Sequence, residues 1–192
     1  MGLIVTSLSL ALKNLKSRPV ITAITHTQQK VSQLNTLHCA DRVVMDLQEG
    51  IKDADCIVLA STLDSFKLIA RKIVNSITKP NIVVIDLGSV KDSVIREIGP
   101  IFSRHMQYIP CHPMAGSEKS GYKAARKNLY QNTTCIITPR KINSMAFNKV
   151  KKFWKILECH ILILDPQQHD RNVAHLSHIP HVISVALVNS LD

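Results

Sequence analysis

The run Ile82-Val83-Val84-Ile85-Asp86-Leu87 constrains this chain more than any other stretch. Its apolar residues do not alternate with polar ones, so a strand built from it must be covered on both faces. Strands of that kind belong to parallel sheets with helices packed on either side. The remaining sequence agrees. Short β-rich runs at 20–25, 55–60, 81–87, 108–112, 133–138 and 160–164 alternate with segments of helical period at 7–16, 63–77, 91–98 and 147–157. The expected fold is α/β, a Rossmann-like doubly wound and mostly parallel sheet. From Pro166 onward the chain reads as helical, with one interruption at Pro180.

Hydrophobic residues make up 45% and charged residues 20%, a globular and not a disordered balance. No apolar run reaches the roughly 18 residues that span a bilayer. The apolar first dozen residues lack a preceding basic segment and a small-residue cleavage site, which argues against secretion and for a cytoplasmic protein. Met1-Gly2 with Thr6 fits a loose myristoylation pattern, but Leu3-Ile4-Val5 fits a buried strand-to-helix turn better. The five cysteines, Cys39, Cys56, Cys111, Cys135 and Cys159, are odd in number, widely spaced and mostly in apolar runs, so buried, reduced thiols are expected. Cys111 adjoins His112, but neighbours in a strand point to opposite faces and do not pair. The net charge of +10 is spread from Lys13 to Arg171. Its densest cluster, Lys149-Val150-Lys151-Lys152, sits on the polar face of an amphipathic segment, which reads as a solvated face and not a nucleic-acid patch. Such a field suits an anionic substrate and an anionic cofactor.

Three motifs carry chemistry. His112-Pro113-Met114-Ala115-Gly116-Ser117-Glu118-Lys119-Ser120-Gly121 places small and polar residues around one imidazole at the mouth of a strand. Asp86-Leu87-Gly88-Ser89-Val90-Lys91 turns away from the buried run, and Ser177-His178-Ile179-Pro180-His181 lies in the final helical segment. With these three, the chain resembles prephenate dehydrogenase, the tyrosine-pathway enzyme family that oxidises and decarboxylates prephenate, and the resemblance runs nearly end to end. It implies a nicotinamide cofactor, NAD or NADP, and a prephenate or arogenate substrate. No nucleic acid and no membrane partner is expected.

A dinucleotide-binding unit opens with a strand, then Gly-x-Gly-x-x-Gly, then a helix facing the pyrophosphate. Here Gly2 stands for the second glycine, Leu3-Ile4 come next, and Val5 occupies the third position, adding two methyls where helix and sheet must approach. No first strand precedes Gly2. In the doubly wound order strand 1 is central, so the expectation is a sheet split in two. Where an acidic residue ordinarily meets the ribose, this chain has Thr25-His26-Thr27, which leaves NADP as plausible as NAD. The resemblance places cofactor contacts at Gly2, Leu3, Ile4, Thr25, Ser61, Thr62 and Ser89. It divides the chain into a dinucleotide-binding domain, 1–165, and the start of a helical substrate and dimerisation domain, 166–192. The family is homodimeric through that helical domain, which also supplies a substrate-binding arginine. Most of the domain is absent here, so Val182, Val185, Ala186 and Leu191 are expected to present an exposed apolar face and to limit solubility.

The reaction that the resemblance implies needs a base beside the C4 hydroxyl of prephenate, and histidine suits the task. It places His112 in that role, with Ser89 orienting it and touching the nicotinamide; Ser89 also fits an N-cap. Ser117, Glu118, His178 and His181 are the expected substrate contacts. His175, His178 and His181 could be drawn as a metal site. Spacing of three drifts by about 60° per step around a helix, so no metal is expected. A Ser-His-Asp hydrolase built from Ser89, His112 and Asp86 lacks the Gly-x-Ser-x-Gly elbow. Beside a working dehydrogenase, the sequence leaves open a truncated inactive remnant and a metabolite-binding module without turnover.

Overall fold

The computed structural model describes residues 2–77, 79–102, 106–142 and 144–190. Helix α1 (Leu3–Lys13) leads into β1 (Thr22–Ile24), α2 (Gln28–Thr36), β2 (Arg42–Val44) and α3 (Leu47–Ile51). The regular alternation then runs through β3 (Cys56–Leu59), α4 (Leu63–Ser76), β4 (Val83–Asp86), α5 (Asp92–Phe102) and β5 (Gln107–Pro113). After a 3₁₀ turn at Tyr122–Ala124 come β6 (Thr134–Ile137), α6 (Met145–Ile156) and β7 (His160–Ile163). The chain then continues as α7 (Pro166–Val173), a π-helical turn (Ala174–His178) and α8 (Ile179–Asn189).

The strands form two sheets, β1-β2 and β3-β4-β5-β6-β7. The sequence analysis expected a sheet split in two, and the described strands are divided in that way. All pairings are parallel except β5 with β6, which sets His112 against Ile136. β4 is buried along its whole length, as its unbroken apolar run requires. Its period of two distributes it between two cores. Val83 and Ile85 join Leu8, Tyr130, Phe147 and Trp154 under α1 and α6. Ile82 and Val84 join Phe66, Ile73, Ile98 and Phe102 under α4 and α5.

Elements missing from the sequence reading cluster between residues 28 and 51. α2 buries only Leu34, so its apolar periodicity is slight; its start is fixed by Thr27, whose Oγ1 accepts a hydrogen bond from the Lys30 amide. β2 is three residues long. α1 starts at Leu3 and not at Ser7, with Gly2 at its N-cap, so Val5 lies in the first turn, half-buried. The final segment is not one interrupted α-helix. A π-helical turn precedes Pro180, which cannot donate to a carbonyl one turn back and whose ring crowds that carbonyl.

Lys149 and Lys152 are exposed on α6, and Lys151 lies 6.0 Å from the Phe147 ring centroid, as a solvated helix face should. Four of the cysteines are buried; Cys56, which opens β3, is exposed. On α8, Val182, Val185 and Leu187 are 67%, 46% and 62% exposed, and Ala186 is exposed too; Leu191 lies outside the described residues. Among the described residues no helix is long and apolar enough to cross a membrane.

Candidate active site

The fold brings the carboxyl ends of β3, β4 and β5 to one edge, because these three strands are parallel. Ser61 and Thr62 follow β3 there, Ser89 follows β4, and His112 is the last residue but one of β5. Ser61, Thr62 and Ser89 are exposed, and His112 is half-buried. Ser65, one turn into α4, donates to the Thr62 carbonyl at 2.7 Å and lies 2.9 Å from the Ser61 hydroxyl, which ties this hydroxyl cluster to the helix start.

Beneath the edge is a buried ionic group. Asp86 and Lys91 are both inaccessible and form an ion pair. The second Asp86 oxygen accepts from the Tyr108 hydroxyl at 2.7 Å, and Oδ1 also accepts from the Gly88 amide at 2.9 Å. Burial, then the Asp86 carboxylate, pushes the Tyr108 phenol far up, so it stays a donor. A Cβ at Gly88 would meet Asp86 Oδ1 at 3.0 Å and Leu63 Cδ2 at 3.1 Å, so a larger residue there would have to push one of these side chains aside. Asp86 is thus committed to Lys91, Tyr108 and Gly88. The structure does not assemble a Ser89-His112-Asp86 triad.

His112 is instead joined to residues on the final helical segment. Its Nδ1 lies 2.9 Å from Nε2 of His169, the two rings meeting edge to face at 61°. His169 is fully buried, and its Nδ1 donates to Asp170 Oδ1 at 2.7 Å. Asp170 in turn caps α5, accepting from the Lys91 amide at 2.8 Å and the Asp92 amide at 2.9 Å. The sequence analysis gave the orienting role to Ser89. Among the described residues, the hydrogen bond on His112 runs to His169.

Burial pushes the His112 imidazole down to about 3, aided by Lys91, His169 and His178 and opposed by Asp170. His169 is lowered too, again chiefly by burial and against the pull of Asp170. Burial works against the Asp170 charge, but the Asp92 amide, His169 and the Lys91 amide outweigh it and hold the carboxyl below the usual range. Both imidazoles are therefore neutral at pH 7.

The other expected contacts fall around this centre. Ser117 and Glu118 are exposed and line an open cleft of about 540 Å³ together with Lys119, Lys123, Ala124 and Arg126. Three cations against one carboxylate make that cleft suited to an anion. The Arg126 amide donates to Ser7 Oγ at 3.1 Å and the Tyr130 hydroxyl to the Ile4 carbonyl at 2.6 Å, which seats this segment against the start of α1. His178 is close enough to His112 to act on its charge, and both His178 and His181 are exposed.

The start of α1 fits a dinucleotide phosphate. Gly2 is exposed, a Cβ there would meet nothing within 4 Å, and the first-turn amides of Leu3, Ile4 and Val5 have no acceptor within the helix. Thr25 corrects the sequence reading. It is only 4% exposed and its amide is bonded to the Val44 carbonyl, so the residues that reach the surface at the end of β1 are His26 and Thr27.

A mostly parallel sheet with polar residues at its carboxyl edge and an open helix N-terminus at a glycine defines a Rossmann-type nucleotide-binding domain. The family whose model matches residues 8–163 is described as "Prephenate dehydrogenase, nucleotide-binding domain", and the chain belongs to that family. It is 29% identical over 191 residues to prephenate dehydrogenase of Bacillus subtilis (strain 168), covering 98% of this chain and 51% of that protein. The chain spans about half the length of the curated relatives it matches. Among solved structures it superposes on prephenate dehydrogenase from Aquifex aeolicus with a TM-score of 0.89 at 26% identity, over 99% of this chain and 68% of that one. The same TM-score and identity hold for the A. aeolicus enzyme in complex with hydroxyphenyl propionate and NAD+, over 66% of that chain.

Proposed function

We propose that this chain carries out the oxidative decarboxylation of prephenate to 4-hydroxyphenylpyruvate with NAD or NADP. The observation that carries the reading is His112, a neutral imidazole at the carboxyl edge of a nucleotide-binding sheet. A neutral imidazole can accept the proton of the C4 hydroxyl. As that O–H bond breaks, the C4 hydrogen leaves with its electron pair. The bound nicotinamide supplies the hydride acceptor. The electrons of the bond to the departing carboxylate then complete the aromatic ring, and CO2 is released.

The Leu3 and Ile4 amides and Gly2 would hold the pyrophosphate at the start of α1. Ser61, Thr62 and Ser89 would line the nicotinamide side, and His26 with Thr27, rather than the buried Thr25, would face the ribose. Ser117 and Glu118, with the neighbouring Lys119, Lys123 and Arg126, meet the anionic substrate from the loop after β5. His178 and His181 meet it from the π-helical turn and the start of α8. A homodimer formed through the exposed apolar face of α8 completes this reading.

The test is prephenate-dependent formation of the reduced cofactor by the purified chain, monitored by absorbance with each of NAD and NADP, with arogenate as an alternative substrate. The expected result is turnover that falls about 10²–10⁴-fold in His112→Asn. Folded protein that is inactive with both cofactors and both substrates overturns the proposal.

A further inference from the structure

We propose that Asp170 and His169 are positioning residues that fix the tautomer of His112, so that Nε2 of His112 carries the lone pair and Nδ1 the hydrogen. The inference rests on the reading of His112 as the acceptor of a substrate proton, and it comes from counting hydrogens along the chain of bonds. The Asp170 carboxylate can only accept, and two backbone amides at the start of α5 fix its orientation. His169 must therefore carry its hydrogen on Nδ1, 2.7 Å from Asp170. A neutral imidazole has one N–H, so His169 Nε2 is an acceptor. The nitrogen 2.9 Å away, Nδ1 of His112, must then be the donor. What remains on His112 is an Nε2 lone pair, the form that can take a proton from a hydroxyl.

The opposite arrangement requires a protonated His169. Its Nε2–H would then donate to His112 Nδ1 and force the hydrogen of a neutral His112 onto Nε2, leaving that nitrogen unable to accept. The surroundings disfavour that cation. His169 is wholly buried, and the ionic groups facing the two rings are Lys91 before α5, Asp86 on β4, Asp170 on α7 and His178 on the π-helical turn. Asp86 is already paired with Lys91, so Asp170 is the one carboxylate left to support a charge. Its own bonds to the α5 amides already satisfy much of it. Ser89 needs no part in this arrangement, which separates orientation of the base from contact with the cofactor.

The experiment is imidazole nitrogen NMR on the uniformly ¹⁵N-labelled chain at pH 7, without cofactor or substrate, with His112→Asn used to assign the resonances. The expected spectrum has His112 and His169 both protonated on Nδ1 and unprotonated on Nε2. Replacing His169 with Leu, which offers no acceptor, should shift His112 toward the Nε2–H form. His169→Gln places an amide oxygen near the former Nε2 and should keep the wild-type tautomer. A wild-type His112 protonated on Nε2, or a tautomer unchanged in His169→Leu, overturns the proposal. Because the spectrum requires no turnover, its outcome is independent of whether prephenate is oxidised. If the chain does turn over, kcat should fall in His169→Leu with KM little changed and recover in His169→Gln; equal losses in both variants would also overturn the assignment.

Discussion

His112 and His169 are both held neutral by burial, and that has a consequence for acid stability. An unfolded histidine binds a proton below a pH of about 6.5, whereas folded His112 does so only near 3. Between those values the unfolded chain binds more protons, so stability rises with pH and is lost as pH falls. Each such group steepens the loss by up to about 1.4 kcal/mol per pH unit. Asp170 acts in the same direction at lower pH, since its carboxyl is held below the usual range. Urea midpoints should therefore fall steeply from pH 6.5 toward 4, and less steeply in His169→Gln; a flat profile would contradict the buried, neutral pair. Motif reading singled out His112, Ser89 and Ser117 because each lies in a dense local pattern. It missed His169 and Asp170 as partners because the bond to His112 spans 57 residues and the cap on α5 spans 78. The only local trace was a His-Asp pair opening a helix that begins with proline.

Elements with a strong apolar period were legible and those without one were not. β4 and α4 could be placed because a doubly buried strand and a helix burying Phe66, Ala70 and Ile73 leave their period in the sequence. α2 leaves almost none, with Leu34 its one buried residue, so its boundary depends on a single side-chain cap. Thr27→Ala should cost about 1 kcal/mol and should appear first as faster amide exchange across α2, while β3 to β5 keep their protection. Uniform loss of protection throughout the chain would show that α2 is not separately held. The π-helical turn was equally invisible. Pro180 signalled an interruption, but whether the helix kinks or widens there depends on neighbours that a local pattern does not encode.

At the level of the whole molecule, the two-part sheet and the bare surface of α8 set its behaviour. β1 and β2 are covered by a small cluster of Ala23, Leu34 and Cys39, while the two larger cores lie on either side of β4. α8 presents Val182, Val185, Leu187 and Val188 to solvent, exposed apolar side chains of the kind that drive association. Light scattering across a concentration series should detect self-association of the chain, and Val182→Lys with Leu187→Lys should raise the concentration at which it stays monodisperse. Association unchanged by the two lysines would move the sticky surface elsewhere. The α/β class could be read from the sequence because strands and helices alternate from β3 to β5 and from β6 to β7. The contact of α7 with the site could not, since it depends on how the chain returns across that sheet after β7.

The capping of α5 by Asp170 also bears on the order in which the molecule is made. The amides of Lys91 and Asp92 leave the ribosome 79 and 78 residues before the carboxylate that will satisfy them. During that interval the helix start has only water as its partner, and closing so long a loop is an entropic cost met late. The strands β3 to β5 therefore leave the ribosome before the carboxylate that links the start of α5 to His169 and, through it, to His112.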